Sequence, residues 1–255
     1  MRGKKLLVKW DSFVVTVSRY APGERHGLHT DTYSRISFFL AGGCNEESRR
    51  SVIRMSPGHV LLKSRRVLHE DQFWKSGAVI AALEFTNEDP FDAMEAADLW
   101  RSRADGFALR CAMVLLEAAF VGDPHTVSAA GLDLLASTNE NSSCRPGPQW
   151  LKQLRDELDS APLASVDVAA RARNAGAHPA HASRLFRRCY GVSITEHAQA
   201  QSVRRALAPL ANGAPLSEAA QVAGFYDQSH MTRVFKRVTG RTPGGYRAML
   251  AAAAC

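Results

Sequence analysis

The chain has 255 residues, 45% of them hydrophobic, with 32 Lys+Arg against 25 Asp+Glu. That length allows two modest domains, each with its own core. Apolar runs such as Val79–Leu83 and Cys111–Leu116 are too short to span a bilayer. The basic start MRGKKLLVKW runs into Asp11, so neither a signal peptide nor a membrane anchor is expected. Five scattered cysteines (Cys44, Cys111, Cys144, Cys189, Cys255), without CxxC spacing, argue against a disulfide framework and a structural zinc site, and fit a reducing cytoplasm.

The net charge of +7 is unevenly placed. Residues 1–148 hold 18 Lys+Arg and 18 Asp+Glu, while the remainder holds 14 and 7, so the whole excess is C-terminal. A basic module joined to a neutral one fits a polyanion-binding domain beside a second domain of different purpose.

Residues 12–86 carry short β-rich runs, FVVTV, RISFFL, SVIRM, HVLLK and AVIAALEF, separated by the turn formers APGERHG, AGGCNEE, SPGH and KSG. This spacing predicts a small antiparallel barrel or sandwich over about residues 1–90. Residues 91–137 turn helical, through ALRCAMVLLEAAFV and VSAAGLDLLAS. The apolar run Ala108–Val121 is either a dimerisation face or a seal over the barrel. TNENSSCRPGP, residues 138–148, reads as a linker. Residues 149–255 read as nearly all helix, beginning with WLKQLRDEL, which puts Trp150, Leu151, Leu154 and Leu158 on one face.

Within that last region one nonapeptide is written twice, as SRLFRRCYG from Ser183 and TRVFKRVTG from Thr232. In the second copy Asp227 is a good N-cap, and Met231, Val234 and Phe235 share one face. Gln228, Ser229, His230, Thr232, Arg233, Lys236 and Arg237 cover the rest, with no carboxylate after the cap. Upstream lie a short helix with Leu216, Ala219 and Ala220 on its apolar face and a turn containing Gly224. This is the pattern of a helix-turn-helix. The first copy repeats it, with Ala182, Leu185 and Phe186 inside, Ala180, His181, Ser183, Arg184, Arg187 and Arg188 outside, Gly176 at the turn and Pro179 at the first helical position. Two recognition helices need a rigid spacer to reach successive major grooves about 34 Å apart. Thr195–Leu210 can supply roughly 24 Å of helix.

Residues 150–250, and AGFYDQSHMTRVFKRVTGRTPGGYR above all, strongly resemble the AraC-type transcriptional regulators. The resemblance implies two helix-turn-helix units joined by a long helix on consecutive major grooves, with readers at about 179–188 and 228–237. This chain departs from the family at His197, where an aromatic is usual, and at Ser202, where Arg is usual. Pro209 is expected to kink or end the connecting helix. In the first motif VDVAARARNAG either is longer than the usual pattern or puts Arg171 at an apolar position, and Ala182 replaces a larger residue. The second motif is therefore expected to be the stronger reader. Residues 13–86 resemble the cupin-like sensor domain that precedes such DNA-binding domains.

The expected fold class is α+β, with an N-terminal small antiparallel β-barrel (cupin-like) and following helices, then an all-α domain of two helix-turn-helix motifs joined by a long helix. The expected DNA contacts are Ala180, His181, Ser183, Arg184, Arg187, Gln228, Ser229, His230, Thr232, Arg233 and Lys236. Lys236 and Arg187 are the phosphate contacts, which add affinity without sequence choice. Pro243 and Tyr246 are expected to pack and close the domain. Effector candidates are His26, His29, Arg35, His59 and His69. The expected function is a non-enzymatic, sequence-specific transcription regulator without cofactor. Its expected partners are double-stranded DNA, RNA polymerase, an unidentified small-molecule effector and a second copy of the chain, with no membrane. The alternative is a metal-dependent cupin enzyme or metal sensor, with His29, Asp31 and His69 as ligands, fused to a DNA-targeting domain.

Overall fold

The computed structural model describes residues 3–49, 51–87, 89–93, 99–140 and 147–254. Most of the expected linker, residues 141–146, lies outside the described residues, as do Cys144 and Cys255. The N-terminal strands are β1 (Gly3–Lys9), β2 (Phe13–Tyr20), β3 (Arg25–His29), β4 (Arg35–Ser48), β5 (Ser51–Met55), β6 (Val60–Lys63) and β7 (His69–Phe85). A short helix α1 (Pro90–Ala93), strand β8 (Trp100–Arg103) and helices α2 (Gly106–Val121) and α3 (Pro124–Glu140) follow. The C-terminal helices are α4 (Gln149–Ser160), α5 (Val168–Asn174), α6 (Pro179–Tyr190), α7 (Ile194–Ala211), α8 (Leu216–Val222), α9 (Gln228–Thr239) and α10 (Pro243–Ala254).

The expected β-barrel is not what forms. The strands make one open antiparallel sheet in the order β1-β2-β7-β4-β6-β8, with β3 branching from β7 and β5 from β4, and β1 is not paired with β8. Strand length is the physical reason. At 14 and 17 residues, β4 and β7 outlast their neighbours and take a second partner beyond the first. Thus β4 pairs β6 through Arg35–Phe38 and β5 through Cys44–Ser48, while β7 pairs β2 through Ala78–Phe85 and β3 near His69. Bulges after Phe39 and Gly42 bend the β4–β7 ladder. Gly42 has φ 68, and a Cβ there would lie 1.9 Å from the Gly77 carbonyl oxygen, so only glycine fits this close approach.

Helices, not sheet closure, dry the apolar face. Val15, Val17, Ile36, Phe38 and Leu83 form one core with Leu109, Ala112, Leu116, Val127 and Leu134 of α2 and α3. Each fully buried Leu or Phe here contributes about 1.5–3 kcal/mol. The run Ala108–Val121 therefore seals the sheet with most of its surface. Phe107, Val114 and Val121 remain partly exposed on its outer side, seven residues apart.

The same core continues into the C-terminal helices. Val203, Ala206, Leu207 and Leu210 of α7, Ala219 and Ala220 of α8, Met231, Val234 and Phe235 of α9, and Tyr246 all belong to it. Tyr246 closes the fold across domains, because its buried hydroxyl donates to the Leu40 carbonyl of β4 at 2.6 Å. At the other end of α7, Leu151, Leu154, Leu158, Leu185, Phe186, Ile194 and Ala198 make a separate cluster. The second helix-turn-helix is thus fused to the N-terminal core, and the first has its own core and joins through α7.

Candidate nucleic-acid interface

The two nonapeptides form matching helices. In α6, His178 caps the N-terminus by accepting from Ala180 N at 3.2 Å, Pro179 takes the first position, and Gly191 ends the helix in the left-handed region at φ 75. In α9, Asp227 accepts from His230 N at 2.6 Å, and Gly240 ends the helix at φ 82. Ala182, Leu185 and Phe186 are buried in α6, as are Met231, Val234 and Phe235 in α9. Outward from α6 face Ala180, His181, Ser183, Arg184 and Arg187. Outward from α9 face Gln228, Ser229, Arg233 and Lys236, with His230 and Thr232 half-buried at the flank. Thr232 spends its hydroxyl on the Gln228 carbonyl, 2.9 Å away. Among the described residues, Arg184, Arg187, Arg233 and Lys236 have neither an ion pair nor a side-chain hydrogen bond. Tyr226, just before the Asp227 cap, is 93% exposed and was not singled out by sequence reasoning.

The departures from the family pattern have local explanations. His197 is buried, packs its ring edge on Phe186 at 5.5 Å and holds Asp159 at 2.7 Å, so it fills an aromatic position and adds a polar tie to α4. Ser202 accepts from Arg205 Nη2 at 2.8 Å. Arg171 stays out of the core, where α5 buries Ala172 instead, and donates through Nε to Glu157 of α4 at 3.0 Å. Pro209 falls near the end of α7, which stops two residues later at Ala211. The 18-residue α7 spans about 27 Å. Gly224, at φ 78, turns α8 into α9, and a Cβ there would meet Pro162 at 2.7 Å.

The back of α9 rests on α2, where Arg110 Nη1 reaches the Arg237 carbonyl at 3.4 Å and Arg241 pairs with Glu117. Gly106 brings α2 close to Ala200 of α7 and Val238 of α9.

Four of the effector candidates cluster at the β3–β7 end of the sheet, where the rings of His29 and His69 lie 4.3 Å apart beside Asp31, and His59 lies elsewhere. His26, His29 and Arg35 line a cavity of about 540 Å³ shared with Arg19, Tyr20 and Asp71. His69 is not in it; it is fully buried, with Nε2 2.6 Å from Lys63 Nζ. His59 faces α7, with its ring nitrogens 3.1 and 3.3 Å from Arg204 Nη2. Sequence reasoning missed a second cavity of about 550 Å³ between the sheet and α7, whose walls include Arg19, Trp74, Arg204 and Arg205. Arg204 Nε and Arg205 Nη1 are buried there without a hydrogen-bond partner among the described residues. Burial holds both guanidiniums below the ordinary arginine pKa, though they stay charged at neutral pH.

Burial, with the Arg204 charge beside it, lowers the His59 pKa from 6.5 to about 4. The unfolded chain therefore takes up this proton first as pH falls. The neutral ring's contribution to stability is whole above pH 6.5 and is lost as pH falls toward 4. The loss is on the order of 3 kcal/mol. Denaturant unfolding across that window should show it, and His59→Gln should flatten that part of the profile.

The fold and this geometry define paired helix-turn-helix units, and residues 171–249 match the family described as Helix-turn-helix domain. The arabinose operon regulatory protein of Escherichia coli (strain K12) is 32% identical over 85 residues, 33% of this chain and 29% of that protein. The HTH-type transcriptional regulator GlxA of Rhizobium meliloti (strain 1021) is 34% identical over 94 residues, 36% of this chain and 29% of that protein. The chain thus matches less than a third of the length of these curated relatives. A crystal structure of ToxT from Vibrio cholerae aligns over 94% of this chain and 99% of its own at 13% identity, with a TM-score of 0.38. The C-terminal region is thus similar to the AraC-type helix-turn-helix regulators. No helix among the described residues is long and apolar enough to cross a membrane.

Proposed function

We propose that the protein is a sequence-specific transcription regulator, not an enzyme, that lays α6 and α9 in adjacent major grooves of one DNA duplex. The observation that carries this is the pair of matching outer faces, each with two cations that form no ion pair or side-chain hydrogen bond among the described residues, at the two ends of α7. Phosphate neutralisation by such side chains supplies affinity, and polar groups in the first helical turns supply base contacts. The contact set is Ala180, His181, Ser183, Arg184 and Arg187 on one reader and Gln228, Ser229, His230, Thr232, Arg233 and Lys236 on the other. Selection of bound duplexes from a random pool tests the reading.

Control is assigned to a small-molecule effector held by the N-terminal domain. The cleft against α7 is the best-supported place, because unpaired buried guanidinium donors favour an anionic group. His26, His29 and Arg35 form the other candidate pocket. The partly exposed stripe Phe107, Val114 and Val121 supports self-association through α2. RNA polymerase is the expected partner once DNA is bound.

A further inference from the structure

The N-terminal domain holds a group of metal-ligating side chains at the end of β6, and Lys63 stands in its middle. The Lys63 side chain is fully buried. Its Nζ lies 2.9 Å from Asp31 Oδ2, 2.9 Å from Glu46 Oε1 and 2.6 Å from His69 Nε2. These donors come from separate parts of the chain: the turn after β3, the last residues of β4 and the start of β7. Their geometry is that of a cation site. His69 Nδ1 is 2.9 Å from the Val67 carbonyl, so that nitrogen carries the ring hydrogen and Nε2 presents its lone pair to the centre. Glu46 is oriented by Trp100, whose Nε1 donates to Oε1 at 2.6 Å. Asp31 Oδ2 is buried and accepts no well-aligned hydrogen bond among the described residues, and the carboxylate's charge is answered by Arg35, whose Nη2 lies 3.0 Å from Oδ1, together with the Lys63 ammonium. One nitrogen and two carboxylate oxygens make a donor set that a divalent transition metal takes readily.

A metal and this ammonium exclude each other. Donors drawn in to metal–ligand bonds of about 2.0–2.2 Å would close on the space that Nζ now fills, and two cations in one buried site repel strongly. We infer that the Lys63 ammonium is the resident cation of a buried Asp31–Glu46–His69 site, ties the ends of four strand segments together and keeps divalent metals out. The residues therefore do not fit a metal-dependent enzyme or a metal sensor at this site. Among the described residues three groups of side chains come close enough to share an ion: His26–His29–Asp71 and the expected His29–Asp31–His69, which both depend on His29, and the buried Glu46–His69–Asp71, whose Glu46 and His69 are held by Lys63.

The test uses the full chain in a His29→Ala background, which removes both groups that depend on His29 and leaves only donors around Lys63, with Co²⁺ as the probe. With Lys63 intact, excess Co²⁺ should leave the visible spectrum and the melting curve unchanged. Lys63→Ala should gain a Co²⁺ d–d band and a melting curve that rises with Co²⁺, and His69→Ala added to it should abolish both. Lys63→Met provides a second variant that replaces the lost side-chain volume. Retained circular dichroism, measured with and without Co²⁺, establishes that a variant is folded. Stoichiometric Co²⁺ uptake with Lys63 in place, lost on His69→Ala, would overturn the inference. So would folded Lys63→Ala and Lys63→Met proteins that bind no Co²⁺, because the ammonium would then not occupy a cation site.

Discussion

Arg233→Ala should weaken binding to the preferred duplex about ten- to a hundredfold and relax the base preference at the half-site under α9. The side chain is exposed on the outer face of α9, two residues past the buried Met231, and has no protein partner among the described residues. Its removal costs the fold nothing it was using, so the loss reports DNA contact. Lys236→Ala is the contrast. It lies a turn further from the N-terminus of the helix, where a cation meets phosphate. Its loss should weaken all sequences evenly and reduce the slope of log affinity against log salt by about one. Fluorescence anisotropy on matched and mismatched duplexes across a salt series separates the two effects.

Phe235→Ala should destabilise the protein by about 3–5 kcal/mol. Phe235 is fully buried, packs against the Tyr246 ring at 6.0 Å and belongs to the core that runs from the sheet through α2 into α9. Total stabilities of about 5–15 kcal/mol make this a large fraction. Phe186 occupies the matching place in the first motif but belongs to the separate cluster with Leu151 and Leu154. Chemical denaturation should therefore show Phe235→Ala loosening the N-terminal and second-motif core together, with Phe186→Ala acting on the first motif alone.

The reader helices were legible because their signals are local. Asp227 and Pro179 mark starts, Gly191 and Gly240 mark ends, and the apolar spacing fixes the buried face. The sheet was less legible. The first half of β7, HEDQFWKSG, does alternate, but its inward positions include His69 and Asp71 as well as Phe73. Charged residues facing a polar interior erase the apolar period that marks a strand. The same is true of the second half of β4, where Glu46 points inward to Lys63. With AGGCNEE of β4 and KSG of β7 read as turns and HEDQFW assigned to no strand, the branching that opens the sheet could not be anticipated. Candidate His69 was found, but not its partner Lys63, because the contact joins β6 to β7 through the fold. Arg204 and Arg205 carry no assignment from the sequence, because only the packing of α7 against the sheet turns them inward.

The central claim is that one chain reads two grooves. Selection of bound duplexes from a random pool at near-physiological salt tests it most directly. The account predicts two short conserved blocks about ten base pairs apart, with the block under α9 sharper and blurred in Arg233→Ala. A single block, or two blocks at a spacing unrelated to the helical turn of DNA, would contradict it.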